Sequence, residues 1–262
     1  MKKEIREVDK KNGIVQITTV DERWYVKPVK NKKTGVPEYE FVPSVTWIAG
    51  YYPKGIGFYK WLAQRNWDEA EAAKEEAGDK GSRVHKAIIE LLDGNEVKME
   101  AKYFSDLTED EKPLDLVEYE ALMSFVDWFN TRNPEVLDRE FVVWGNGFAG
   151  TVDFLCRIDG KAYIIDFKTS QSIWPSYEMQ VSAYKHALSN PKIKDGEDVE
   201  MMILQLGYKR NKKLWKENLV EDKFDLFKSA QQIWANENEG IKPLQKDYPQ
   251  SLSLKVEEKT KK

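Results

Sequence analysis

The chain has 262 residues, of which 41% are apolar and 33% charged. That is long enough to bury a core without disulfide staples, as one large domain or two small ones. No apolar run approaches the roughly 20 residues of a membrane helix, and the N-terminal MKKEIREVDK has no apolar stretch behind its basic residues, so a secretory signal is not expected. The single cysteine, Cys156, excludes an intramolecular disulfide, a Cys-only zinc site and a four-cysteine iron–sulfur cluster, and it suits a reducing cytoplasm. At a net charge of −4 the chain does not bind nucleic acid through bulk basicity. Any such contact must come from local basic patches or from metal ions.

Residues 13–42 read as a small β region. Ile14–Val20 and Trp24–Val29 are apolar or β-branched runs, and a turn at Asn31-Lys32-Lys33-Thr34-Gly35 precedes Tyr39–Val42. Residues 43–132 read as helical. Pro43-Ser44 opens a first helix, Lys54–Ala77 forms a second, Gly78 and Gly81 punctuate it, and Ser82–Leu92 follows up to Asp93-Gly94. Leu114–Asn130 is amphipathic near period 3.6 and stops before Asn133-Pro134.

From residue 136 the pattern changes to strands. Val136–Trp144 ends at Gly145-Asn146-Gly147, and Phe148–Ile158 and Lys161–Phe167 are joined by the hairpin signal Asp159-Gly160. Pro175 starts a helix to about Leu188, Val199–Tyr208 is a fourth strand, Lys209–Lys216 is a basic loop, and Asp222–Asn236 is a last helix. These elements make one α/β domain over 1–250, with a charged tail at 251–262. Its N-terminal β and helical parts are expected to pack over a core sheet built from 136–208, and 209–239 supplies the basic loop and last helix.

The chemistry concentrates in 150–184. Asp166 and Lys168 are two apart on a strand, so both side chains leave one face, about 7 Å apart. An acid followed two residues later by lysine recurs in seven other places, at Asp9, Glu96, Glu100, Asp110, Asp159, Glu221 and Glu257, so the bare pattern carries little. Only Asp166 closes an apolar strand paired through a tight turn with another strand bearing its own acid, Asp153. A turn centred on Asp159-Gly160 opposes residues whose numbers sum to 319 or 320, which sets Asp153 across from Asp166 or Phe167. Like charges opposite one another destabilise a sheet unless something positive lies between them. Lys168 is one candidate for that charge. A divalent cation is the other, since two carboxylates with several waters suit Mg²⁺.

Gly150-x-x-Asp153, Asp166-x-Lys168 and Gln180-x-x-x-Tyr184, with Gly81-x-x-x-His85 upstream, resemble the RecB-like branch of the PD-(D/E)XK nucleases over about residues 43–208. The resemblance implies a restriction-endonuclease-like core, a mixed β-sheet flanked by helices. It implies Asp153, Asp166 and His85 around one or two Mg²⁺ or Mn²⁺ ions, and Lys168 acting on the attacking water or on the phosphate. It also implies Gln180 and Tyr184 on one helical face touching nucleic acid. Glu140 matches an acid found at the start of the first strand and ranks second to these. No iron–sulfur cluster is expected, in contrast to several relatives. Lys209, Arg210, Lys212 and Lys213, beside Trp215, suit phosphate contact and base stacking; a solvated turn is the competing explanation. Gly150 reads as a close backbone approach. The function expected is a metal-dependent DNA exonuclease of the cytoplasm, acting on single-stranded DNA or DNA ends in repair, recombination or phage DNA metabolism, with no membrane contact and no protein partner specified. The alternatives are a structure-selective endonuclease, or an inactive nuclease fold that only binds DNA or a protein.

Overall fold

The computed structural model describes residues 4–19, 22–30 and 37–243. The turn expected at 31–35 and the tail at 251–262 lie outside the described residues. The chain begins with four antiparallel strands, β1 (Glu4–Asp9), β2 (Ile14–Thr18), β3 (Arg23–Lys30) and β4 (Pro37–Pro43), ordered as in the sequence. β1 is not expected from the sequence, because EIREVD is too charged to read as a strand. It is an edge strand whose first four residues are exposed, where charge is the usual guard against further pairing.

Ser44 then caps α1 (Val45–Gly50) by accepting from the Trp47 N–H at 3.1 Å. The expected long helix over 54–77 is instead two. α2 (Ile56–Gln64) ends at Arg65, and Asn66, at φ 51°, turns the chain and caps α3 (Trp67–Leu92) by accepting from the Glu69 N–H. α3 runs unbroken through Gly78 and Gly81. A glycine in a helix costs only about 1 kcal/mol, and α3 offsets that by burying Val84, Ala87 and Ile88. A short hairpin, β5 (Lys102–Ser105) and β6 (Asp110–Pro113), precedes α4 (Leu116–Arg132). A capping box of Asp115 and Glu118 starts α4, two residues later than expected.

The central sheet has the order β11-β10-β9-β8-β7. β7 (Glu135–Gly145), β8 (Phe148–Ile158) and β9 (Lys161–Lys168) form an antiparallel meander. Asp159 (φ 51°) and Gly160 (φ 81°) provide the left-handed pair of a tight hairpin turn. α5 (Pro175–His186) crosses over to β10 (Val199–Leu206), which lies parallel to β9. β11 (Trp215–Leu219) returns antiparallel where only a loop is expected, and α6 (Phe224–Glu237) ends the described chain.

Both faces of this sheet are buried, so its inner strands read as continuous apolar runs. Along β10, Met201 and Ile203 face a core shared with α1, α5 and α6, whereas Met202, Leu204 and Leu206 face a core shared with α3 and α4. The N-terminal sheet packs on β7 and β8 as expected, through Ile14, Tyr25, Val42 and Ala149. Ser44 extends the join by bridging to Ala149.

Candidate active site

The period-two alternation of β9 decides what Asp166 meets. Ala162 and Ile164 point to the α5 side, Ile165 and Phe167 to the α3 side, so Asp166 and Lys168 fall on the α5 side. There Gln180 Nε2 donates to Asp166 Oδ1 at 2.9 Å and Lys168 Nζ lies 2.6 Å from Asp166 Oδ2. The Lys168 ammonium also sits 4.8 Å above the Tyr177 ring. The Asp166 side chain is only 1% exposed. Apart from this ion pair, Oδ2 has no hydrogen-bond partner.

The hairpin register is the expected one: Phe154 pairs with Ile165, numbers summing to 319. Asp153 therefore lies across from Asp166. The β8–β9 ladder stops one rung short of them, and Asp153 Oδ2 takes over, accepting from the Phe167 N–H at 2.8 Å. His85, from the second half of α3, reaches the same point. Its Nε2 lies 3.0 Å from the Phe167 carbonyl and its Nδ1 3.5 Å from Asp153 Oδ1. On the other side of β8, the β7 register skips one rung between Arg139–Phe154 and Phe141–Val152, which leaves Glu140 opposite Asp153. Glu140 has a left-handed backbone (φ 43°), and its carboxylate meets Arg6 of β1 at 3.6 Å. A glutamate in that conformation costs of order 1–3 kcal/mol, and such strain gathers at functional sites.

Gln180 and Tyr184 stand one turn apart on α5, and Gln180 Nε2 donates to the Tyr184 hydroxyl at 2.8 Å. Both are buried. Gln180 fixes the orientation of Asp166, Tyr184 supports Gln180, and both line the cleft. Gly150 is the reason Tyr184 fits: a Cβ there would stand 2.4 Å from Tyr184 Cε1.

Burial pushes the Asp166 carboxyl up to about 6, against the opposing pull of Lys168. Asp153 shares the burial, but His85, Lys168 and the Phe167 N–H outweigh it and hold the carboxyl below its ordinary value. His85 moves the opposite way, because Asp153 favours its charged form by more than burial disfavours it. Lys168 is raised likewise: burial opposes its charge, and Asp166 and Asp153 overcome that. The two aspartates are thus driven apart in acidity by unequal partners, a common arrangement in catalytic carboxylate pairs.

These residues fit a hard divalent cation. Each aspartate ties one oxygen to a neutral donor and leaves the other, Asp153 Oδ1 and Asp166 Oδ2, without one. Two carboxylate oxygens with water completing the shell suit Mg²⁺ or Mn²⁺. Among the described residues no three His, Cys, Asp or Glu side chains close on one metal position. His85 has both ring nitrogens near acceptors, so as a ligand it would have to release one of them. All of these groups line a cleft of about 450 Å³, and a second cavity of about 610 Å³ adjoins it at Thr46, Ser82, His85, Lys168 and Gln180.

The structure does not bring the basic loop into the cleft. Lys209, Arg210, Lys212 and Lys213 are exposed beyond the end of β10, where the Lys209 N–H donates to Gln171 Oε1 beside the second cavity. Trp215 corrects the stacking expectation: it is buried, and its Nε1 donates to Asp127 at 2.7 Å. His186, which carries no expected role, pairs with Asp222 at 2.6 Å and stacks on Phe224. The sequence reading misses the contribution of the N-terminal sheet, whose Arg6, Gln16, Arg23 and Tyr25 line the cleft. Only the alternation of polar residues along β1 and β2 could have hinted at it.

No helix among the described residues is long and apolar enough to cross a membrane. A search of curated proteins finds no match. A sequence model of the PD-(D/E)XK nuclease superfamily matches residues 57–250, well over half of the chain and all of the strands and helices that carry Asp153, Asp166, Lys168 and His85. The chain therefore belongs to the PD-(D/E)XK nuclease superfamily, with the mixed α/β fold of that group and the metal-dependent nuclease activity that membership implies.

Proposed function

We propose that the protein is a metal-dependent DNA exonuclease of the RecB-like branch, acting on single-stranded DNA or DNA ends in repair, recombination or phage DNA metabolism. The observation that carries this reading is the meeting of Asp153, Asp166, Lys168 and His85 at the end of the β8–β9 hairpin. Asp153 and Asp166, joined by His85 if it releases an acceptor, are the residues that would hold Mg²⁺ or Mn²⁺. A bound cation would supply Lewis-acid activation of water and neutralisation of phosphate charge.

The chain's own groups account for the rest. Gln180 and the Phe167 N–H orient the two carboxylates through one oxygen each and leave the other for Lys168, His85 or a cation. Lys168, held close to Asp166, is positioned to stabilise charge developing on the phosphate or to orient the attacking water. His85 fixes Asp153 against the Phe167 carbonyl. The recessed site, between the N-terminal sheet and α3, supports a strand end as substrate. The exposed basic loop supports phosphate contact further along the strand. Incubation with linear and with circular single-stranded DNA in Mg²⁺ tests the reading. Degradation of the linear form alone is expected, and cutting of the circle would replace the exonuclease by an endonuclease.

A further inference from the structure

The N-terminal sheet lies outside the part of the chain that matches the superfamily, yet it forms a wall of the catalytic cleft. Its pairing shows how. Arg6 pairs with Gln16 and Gln16 with Tyr25; Glu4 pairs with Thr18 and Thr18 with Arg23. Residues paired across strands share a face, so these six side chains make two adjacent rows on one side of the sheet, and all six line the cleft.

A sheet laid over a protein core normally turns its apolar face inward. On the face that carries these rows this one does so only at one end, where Ile14, Tyr25 and Val42 anchor it to Ala149. Over the catalytic residues the inward rows are polar, and two of their members are guanidinium groups. The sheet is also fixed in place. Gln16 Nε2 donates to the Tyr25 hydroxyl at 2.8 Å, which shares a hydrogen bond of 3.0 Å with Thr151, two residues before Asp153. The Ser44 N–H donates to the Arg23 carbonyl, and Trp24 packs edge-on against Trp47 and Trp234. Arg23 is exposed and has no side-chain ion pair among the described residues, while Arg6 faces Glu140 at 3.6 Å, beyond hydrogen-bonding distance.

We infer that this sheet is a substrate wall, in which Arg23 and Arg6 bind backbone phosphates of a single DNA strand next to the phosphate under attack. The inference rests on the nuclease reading above and names where its substrate is held. Glu4, Glu7 and Asp106 also line the cleft, so the wall exerts little net field. Its grip comes from discrete forked contacts, the geometry for which guanidinium suits phosphate. The cleft, at about 450 Å³, has the size of a pocket that encloses a small molecule. A recess of that size takes part of one strand, which favours a single-stranded substrate.

The test uses the full chain and its Arg6→Gln, Arg23→Gln and double variants, with melting curves to establish that each is folded. Binding of a fluorescent single-stranded oligonucleotide is measured in Ca²⁺ across a salt series, and cleavage in Mg²⁺. Each single variant should raise Kd about tenfold and reduce the log–log salt slope by about 0.7, and the double variant about a hundredfold and by about 1.4, with KM rising more than kcat falls. Arg23→Lys, which keeps the charge but loses the fork, should fall between wild type and Arg23→Gln. A folded double variant with unchanged Kd, slope and KM overturns the wall and leaves the nuclease reading standing. A wild type that binds a duplex oligonucleotide as tightly, with the same loss in the variants, overturns the single-strand assignment. A wild type that neither binds nor cuts DNA overturns both the nuclease reading and this one.

Discussion

Replacing Asp166 by asparagine keeps the shape of the most deeply buried site residue and removes its charge. The carboxyl is pushed from 3.8 to about 6, a rise of about two units at about 1.4 kcal/mol each. Ionised Asp166 therefore costs the metal-free protein about 3 kcal/mol at neutral pH, as an upper figure, because asparagine pairs less well with Lys168. The sign follows from linkage. A carboxyl whose value is raised by folding holds its proton in the native state when the unfolded chain has lost it, so its contribution is fully present below about pH 4 and is lost as pH rises through about 6. Asp166→Asn should therefore melt several degrees above wild type at pH 7.5 in EDTA, at roughly 2–4 °C per kcal/mol for a chain of this size. That advantage should vanish near pH 4. Mn²⁺ at a hundredfold excess over its dissociation constant should stabilise wild type by about 2.7 kcal/mol and the variant by much less. Differential scanning calorimetry of both proteins, with EDTA and with Mn²⁺, reads all three effects. A variant that melts below wild type in EDTA at pH 7.5, together with equal Mn²⁺ shifts in both proteins, would refute the reasoning and reduce Asp166 and Lys168 to a salt bridge.

Other perturbations give equally direct outcomes. Lys168→Ala should lower kcat by about 100-fold or more, as expected for a lost proton-transfer or charge-stabilising group, with single-strand Kd in Ca²⁺ nearly unchanged; wild-type turnover in the folded variant would remove Lys168 from the chemistry. Gly150→Ala sets a methyl 2.4 Å from Tyr184 Cε1 and should cost about 1–3 kcal/mol by overpacking, read as a lower melting temperature; an unshifted curve would show that Tyr184 yields freely. Neutralising Lys209, Arg210, Lys212 and Lys213 together should flatten the salt dependence of binding by about 0.7 per lost phosphate contact; an unchanged slope would assign the loop to solvent.

The parts of this molecule that can be read from sequence are those where local chemistry and burial agree. Asp159-Gly160 fixes the hairpin register, and with it the opposition of Asp153 and Asp166, because the turn needs two left-handed residues and few sequences provide them. The reach of His85 to Phe167 is a different matter: it spans 82 residues and depends on α3 staying helical through two glycines. A local reading ends the helix there, since the apolar contacts that hold it are distant in sequence. β1, β5, β6 and β11 escape for a related reason. They are short or charged, and each becomes a strand only because a partner supplies its ladder. The family resemblance singles out Gln180 and Tyr184, but their burial is not legible, because the fit of Tyr184 depends on the missing side chain at Gly150. The part played by the N-terminal sheet in the cleft is the least legible, since it arises from three strands folding back over residues more than a hundred positions away.

In the proposed function Asp153, Asp166 and Lys168 hydrolyse phosphodiester bonds with the help of a divalent cation. The most direct measurement is cleavage of an end-labelled linear single-stranded oligonucleotide by wild type and by Lys168→Ala, each in Mn²⁺ and in EDTA, resolved on a denaturing gel. Shortened products are expected only from wild type in Mn²⁺. Intact oligonucleotide from wild type in Mn²⁺, or equal cleavage in EDTA or by the variant, would contradict the proposed function.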